Sequence, residues 1–458
     1  MEREKQITKA PEVATGQRGG SLGVVYRPLS QLRLDPKNPR QHSPKQIRQI
    51  ARSITTVGFN VPVLIDPQGQ VIAGHGRILA CQQLGWREVP TICLEHLTEA
   101  QARAFMIADN RLTENSSWDE PLLGEQLKGL AEVDLNFSLE VTGFEMGEID
   151  VLIEGLAPEP EEDPADTFPD PAAGPPVSQL GDLWFLGSHR LLCGNALDET
   201  AYALLMEGKQ AAMVFTDPPF NVPIDGHASG LGRITHRDFV MASGEMSDAE
   251  FTEFLTQTCT LMARFLTEGG LAYLFMDWRH LGEILTAGQM TFTELKNLCV
   301  WNKGAGGMGS LYRSQHELVF VFKHGTVPHR NNVQLGQYGR YRTNVWSYPG
   351  GNSFARDTQE GNLNALHPTV KPVALVADAL LDASARGDVV LDPFLGSGTT
   401  VIAAERTGRT CYGMDLDPRY VDTAIRRWQN WTGHQARHAT SSKLFDEIAS
   451  QKGGPHVG

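Results

Sequence analysis

Cysteine is scarce and unpatterned in this chain: six residues in 458, none in a CxxC spacing. That argues against a disulfide framework and against zinc, so no metal site is expected. It reads instead as reduced, mostly buried thiols of a cytoplasmic protein. No stretch approaches 18 uninterrupted apolar residues, so no membrane partner is expected. The first twenty residues carry no apolar h-region, and no secretory leader is expected. No internal repeat is evident. Cationic excess is also missing, since the net charge is −14. Taken alone, that sum argues against a nucleic-acid binder, but its distribution matters more. Residues 300–345 hold six basic side chains against the single acid Glu317. A local excess of this kind is compatible with an oriented contact to DNA.

The length exceeds one ordinary core, and two or three domains are expected. Residues 156–178 contain seven prolines and six acids with few apolar residues, which reads as an extended, solvated linker. It separates an N-terminal unit, 24–155, from a larger unit, 179–432. The tail, 433–458, is polar and expected to fray except for a short helix near 442–450. In the first unit, Ser43-Pro44 looks like an N-cap followed by a first-turn proline. Ile47, Ile50, Ala51 and Ile54 then line one helical face, and Gly58 ends it. Strands are expected at 61–65, 71–73 and 89–94, and helices at 78–84, 100–110 and 122–130. The second unit alternates strands (211–216, 271–276, 295–301, 317–322, 389–391, 411–414) with helices (249–265, 373–381, 400–406). That alternation predicts an α/β sheet with helices on both faces.

Two strings stand at the ends of such strands. Asp392-Pro393-Phe394-Leu395-Gly396-Ser397-Gly398-Thr399 runs from a strand through a glycine turn into a helix, the form of a nucleotide cradle. Asp415 follows about twenty residues on, just after the next strand, where an acid can meet a ribose diol. Val401 stands where G-x-G-x-x-G has its third glycine, which disfavours a nicotinamide site. The other string is Asp217-Pro218-Pro219-Phe220. Two prolines fix φ and withhold N–H donors, so the loop is stiff and its carbonyls are left to other partners.

The Asp217 string resembles the amino-group pocket of DNA amino-methyltransferases. Its position ahead of the glycine turn resembles their circularly permuted β class. The resemblance implies a Rossmann-like methyltransferase sheet, S-adenosylmethionine as cofactor, and double-stranded DNA with a flipped target base as substrate. An exocyclic base amine is a poor nucleophile because its lone pair is delocalised into the ring. By the resemblance, the Asp217 carboxylate and the Pro218 carbonyl hold its two hydrogens, Pro219 stiffens the loop, and Phe220 stacks on the extruded base. No Pro-Cys string of the cytosine-C5 type accompanies it. Phe394, Gly396, Ser397, Gly398 and Thr399 would form the cofactor loop beside Asp392, with Asp415 on the ribose. Asn195, after 191–194, stands where the family has an acid facing the adenine. Thr369 and Lys371, in His367-Pro368-Thr369-Val370-Lys371-Pro372, would meet the cofactor carboxylate. Residues 325–366 interleave aromatics and arginines and are assigned as the target-recognition region. Arg313, Arg330, Arg340 and Arg342 are the expected phosphate contacts.

The first unit resembles the smaller α+β ParB/sulfiredoxin-like domain, through 29–34, Asn38-Pro39-Arg40, 61–65, 71–77 and 107–111. Its box Gly74-His75-Gly76-Arg77 has one arginine where partition proteins carry two. Gly74 and Gly76 at a helix start, with Arg77, could face a nucleotide triphosphate. A homodimer is also compatible with the resemblance. The Asp-Pro-Pro-aromatic form favours adenine N6 in that family, with cytosine N4 as the alternative. Two further readings stay open: a non-catalytic, nucleotide-gated DNA-binding protein, and a methyltransferase of RNA or protein.

Overall fold

The computed structural model describes residues 22–133, 135–155, 164–166, 175–222, 244–304, 306, 311–337, 339–350 and 371–452. Their contacts separate into two compact units, with the break between Phe144 and Glu145. In the first unit, strands β1 (Val24–Pro28), β2 (Val63–Ile65), β3 (Val71–Ala73) and β4 (Glu88–Cys93) form a sheet in the order β1-β4-β2-β3. Helices α1 (Pro44–Val57), α2 (His75–Gln83), α3 (Glu99–Glu114) and α4 (Glu120–Ala131) complete it. The Ser43 hydroxyl accepts from the Gln46 N–H at 3.1 Å, so α1 starts where the cap signal placed it. Gly58, at φ +90°, ends that helix. Ala51 and Ile54 on its inner face pack with Val63, Ile65, Val71 and Ile78.

Among the described residues, the second unit carries a ten-stranded sheet. Its strands are β5 (Leu183–Leu186), β6 (His189–Cys193), β7 (Ala211–Thr216), β8 (Leu266–Met276), β9 (Glu294–Asn302), β10 (His316–Lys323), β11 (Val345–Ser347), β12 (Val389–Asp392), β13 (Thr410–Asp415) and β14 (Arg437–His438). The order is β11-β9-β10-β8-β7-β12-β13-β6-β5-β14. The central run from β8 through β7, β12 and β13 to β6 is parallel. The helices are α5 (Met146–Glu154), α6 (Glu199–Met206), α7 (Asp248–Arg264), α8 (Leu281–Thr291), α9 (Val373–Ala383), α10 (Thr399–Thr407), α11 (Pro418–Thr432) and α12 (Phe445–Lys452).

Strand alternation feeds two cores. Met213 and Phe215 of β7 join Leu271, Tyr273 and Phe275 of β8 under α9, α10 and α11. Their alternates Val214, Ala272 and Leu274 pack with α6, α7 and α8. A sheet covered on both faces needs near-continuous apolar strands, as the sequence supplies. Among the described residues no helix is long and apolar enough to cross a membrane.

Three stretches differ from the expectation based on composition. Met146–Glu154 belongs to the second unit, not to a first unit reaching 155. Fully buried Asp150 accepts from Arg409 Nη1 and Nη2 at 3.2 and 2.9 Å, and Arg386 Nε lies 3.1 Å away. Within the acid-rich linker, Ala165 is buried in the core, and Asp166 Oδ1 accepts from the Val373 N–H at the start of α9 at 2.9 Å. The Val177 and Ser178 N–H groups donate to Asp422. A backbone that finds buried partners of opposite polarity docks despite a polar composition. In the tail, β14 pairs with β5, and Phe445 is buried edge-to-face on Trp184, at a centroid distance of 5.3 Å.

Candidate active site

Parallel strands end together, so the C-terminal ends of β6, β7, β12 and β13 form one edge. Asp217 leaves the end of β7, and Asp392 ends the adjacent β12. The Thr216 hydroxyl donates to Asp392 Oδ1, and the Thr400 hydroxyl to Oδ2, each at 2.6 Å. The Phe394 N–H adds a third bond, at 3.2 Å. Burial pushes the Asp392 carboxyl up to about 6, and these donors oppose the shift. Asp392 therefore ties the two strand tips together, and its oxygens are spent on the protein itself.

The glycine turn follows. Gly396 and Gly398 adopt φ +55° and +84°, the left-handed region that glycine enters freely. A Cβ on Gly398 would lie 2.7 Å from Ala424 Cβ on α11, so this glycine serves helix packing as well as the turn. Gly398→Ala is expected to destabilise the second unit by about 1–3 kcal/mol, read as a lower melting temperature. Buried Arg427 donates to Thr399 Oγ1 at 2.9 Å and lies 3.4 Å from both Ser397 oxygens, so it braces the turn from behind. Asp415 Oδ2 accepts from the Gly396 N–H at 2.8 Å, and Oδ1 from the Asp417 N–H at 2.9 Å. Burial raises its carboxyl to about 7. Each oxygen has a further lone pair beyond the bond it accepts. Asn195 stands beside it, because β6 pairs with β13 through Cys193 and Asp415. Its Oδ1 accepts from the Leu197 N–H at 2.9 Å. Phe394 tilts against Phe254.

The Asp217 side chain is four-fifths buried. Its Oδ2 accepts from Lys371 Nζ at 2.5 Å. Its Oδ1 is buried and has no hydrogen-bond partner among the described residues. A buried acceptor left bare costs stability unless a ligand satisfies it. Lys371 Nζ also lies 3.1 Å from Glu317 Oε2, and Glu317 Oε1 accepts from Lys303. The aromatic rings of Phe275, Trp301 and Phe220 surround the same ammonium, with centroids 4.8, 5.6 and 5.9 Å away. Burial pushes the Asp217 carboxyl up to about 6, Lys371 opposes that, and Glu317 adds to it. Burial would also raise Glu317, but Lys371 and Lys303 overcome it and hold this carboxyl well below its ordinary value.

These positions revise several expectations. Lys371, expected on a cofactor carboxylate, is instead engaged by Asp217 and Glu317. Thr369 lies outside the described residues. Trp301 and Tyr312, which the sequence leaves open between core aromatics and base contacts, separate: Trp301 is a core side chain whose Nε1 donates to the Tyr348 carbonyl at 3.0 Å, while Tyr312 is exposed. Of the four arginines, Arg313 stands on the loop joining β9 to β10 at the site edge, exposed, with Nη2 donating to the Gly306 carbonyl at 2.7 Å. Arg330 follows β10, which runs antiparallel to β8 and so ends at the opposite edge. Arg340 and Arg342 are buried or half-buried against Asp378 and Asp382 of α9. Asp382 lies toward the far end of α9, about 13 Å along the helix from Val373. The local positive count therefore does not make a cationic face, because α9 supplies the missing acids. Of the expected recognition region 325–366, residues 351–366 lie outside the described residues.

In the first unit, Gly74 caps α2 at φ +104°. Arg77 folds back over it, with Nε and Nη2 only 3.2 Å from where a Gly74 Cβ would stand. Gly76 is pinned against His42 and Ile50.

Family models match in the same order along the chain: ParB N-terminal domain at 15–110, ParB-methyltransferase HTH domain at 121–180, and DNA methylase at 211–426. The helix-turn-helix match covers α4 and α5 and overlaps the stretch read from composition as linker. The chain is 46% identical over 80 residues to the ParB-like nuclease domain-containing protein YnaK of Escherichia coli K12, covering 18% of this chain and 92% of that protein. It is 25% identical over 256 residues to the type II methyltransferase M.HpaI of Haemophilus parainfluenzae, covering 52% and 73%. It is 27% identical over 262 residues to the DNA adenine methyltransferase YhdJ of Escherichia coli K12, covering 52% and 81%.

Proposed function

From a chain that joins a ParB N-terminal domain and a helix-turn-helix domain to a DNA methyltransferase of the N6-adenine/N4-cytosine family, we propose that the methylated atom is the exocyclic N6 of adenine in DNA. The buried Oδ1 of Asp217, which has no hydrogen-bond partner among the described residues, carries the reading at the strand edge beside the glycine turn. The cofactor of the family is S-adenosylmethionine. The residues present fit it: the left-handed turn at 396–398 lets backbone come close, Asp415 keeps lone pairs for a diol, and Asn195 and Phe394 stand at the same edge. When bound, it supplies an electrophilic methyl group.

The chain's own part is to make the amine reactive. Asp217 Oδ1 accepts one amine hydrogen and the Pro218 carbonyl the other, which draws the nitrogen toward tetrahedral geometry and releases its lone pair from the ring. As the nitrogen gains a methyl group it gives up a proton, and Asp217 Oδ1 is placed to take it. Phe220, half-buried beside Lys371, offers a ring to an extruded base. An aspartate here, where the cytosine-N4 form has serine, and the likeness to an adenine methyltransferase favour adenine.

The test incubates the protein with unmethylated DNA and S-adenosylmethionine and analyses the digested nucleosides by mass spectrometry. N6-methyladenine is expected. N4-methylcytosine alone would move the assignment to the other base, and no methylated nucleoside would favour a ParB-like DNA-binding protein without catalysis. The rate should also depend on pH with a definite sign. Asp217 must be a carboxylate to accept, so kcat/KM is full above its pKa and falls about tenfold per unit as pH drops below about 6.

A further inference from the structure

We propose that Glu317 and Lys371 are positioning residues for Asp217, fixing its Oδ2 so that Oδ1 alone faces the target amine. The inference rests on the amine-acceptor reading above and deepens it. The four charged groups come from separate parts of the chain: Asp217 after β7, Glu317 from β10, Lys303 after β9, and Lys371 just before α9. Nothing in their sequence neighbourhood links them, yet they form a continuous row. Lys303 bonds to Glu317, Glu317 faces Lys371 at 3.1 Å, and Lys371 bonds to Asp217 at 2.5 Å. Two acids and two lysines make the row neutral, which is how buried charges are tolerated.

The row also decides what Asp217 can do. A free carboxylate rotates about its last bond and offers either oxygen. Here one oxygen is tied to an ammonium that is 94% buried and clasped by Phe275 and Trp301, so rotation would break a buried ion pair. The remaining oxygen is the one without a hydrogen-bond partner among the described residues. Glu317 keeps Lys371 charged: burial would strip its proton, and the two carboxylates overcome that and raise its pKa. Asp392, on the adjacent strand tip, also feels the Lys371 charge. Among the described residues, Lys371, Glu317 and Lys303 are the charged neighbours that set the state of Asp217.

The test measures kcat and KM across pH, together with S-adenosylmethionine binding by calorimetry, for wild type, Lys371→Met and Glu317→Gln. Lys371→Met leaves Asp217 beside Glu317 without its cation, so the acid limb moves up by about two units and kcat at pH 7 falls about tenfold. Glu317→Gln leaves both lysines to Asp217 alone, so the acid limb moves down and kcat falls, because a weaker base accepts the proton. S-adenosylmethionine binding stays near wild type in both, which also reports that the fold is intact. Should Lys371→Met fail to fold, the downward shift in Glu317→Gln decides by itself. Unmoved acid limbs, with loss confined to cofactor affinity, would place Lys371 on the cofactor and overturn the inference while leaving the amine-acceptor reading intact. A wild type that methylates no amine would overturn both.

Discussion

Asp217→Ala loses methyl transfer by at least about 10²–10³-fold in kcat, the scale of one removed transition-state contact in a dry site. Cofactor affinity stays largely unchanged, because the bonds that shape the glycine turn run through Asp392, Asp415 and Arg427 and not through Asp217. Asp217→Asn is the sharper version. It keeps the shape of the side chain but cannot take a proton, and it can turn an N–H toward an amine that needs an acceptor. It should lose activity as severely, while an unrelated structural role would tolerate it. Single-turnover methylation with calorimetry of cofactor binding separates the two steps. Full turnover by either variant would remove Asp217 from the chemistry.

The largest effect on stability is expected far from this edge. Asp150→Ala leaves Arg409 and Arg386 without the carboxylate that lies between them, and Arg409 is fully buried. Removing one partner of a buried ion pair costs about 3–5 kcal/mol. Urea titration should show the unfolding free energy falling by that amount, with the midpoint moving down accordingly and Asp150→Asn intermediate. An unchanged midpoint would mean that α5 contributes nothing to holding this unit together.

Local pattern carried much of the fold. The cap at Ser43, the apolar face of α1, the strands ending in Asp217 and Asp392, and the turn at 396–398 are each written in a few consecutive residues. Pairings between distant segments are not. Lys371 sits between prolines in a polar string, and nothing nearby says that it reaches Asp217 and Glu317. One signal was available: Glu317 is a lone acid heading the apolar run of β10, so burying it requires a cation. Similarly, Asp378 and Asp382 stand four residues apart on the otherwise apolar α9, and they required the arginines that a linear charge count assigned to phosphate. Composition misled at 164–166 and 177–178 for the opposite reason. Proline and acid suggest solvation, but a single carboxylate, Asp166, finds the open end of a helix.

The bonds from Thr216 and Thr400 to one carboxylate have a consequence for how this enzyme can vary. Loosening Asp392 frees the strand tip that leads into Asp217 and the helix that follows the glycine turn at the same moment. Changes there should degrade turnover and cofactor retention in step. A variant with altered target preference must therefore arise in the walls around the clasp, leaving the clasp itself closed.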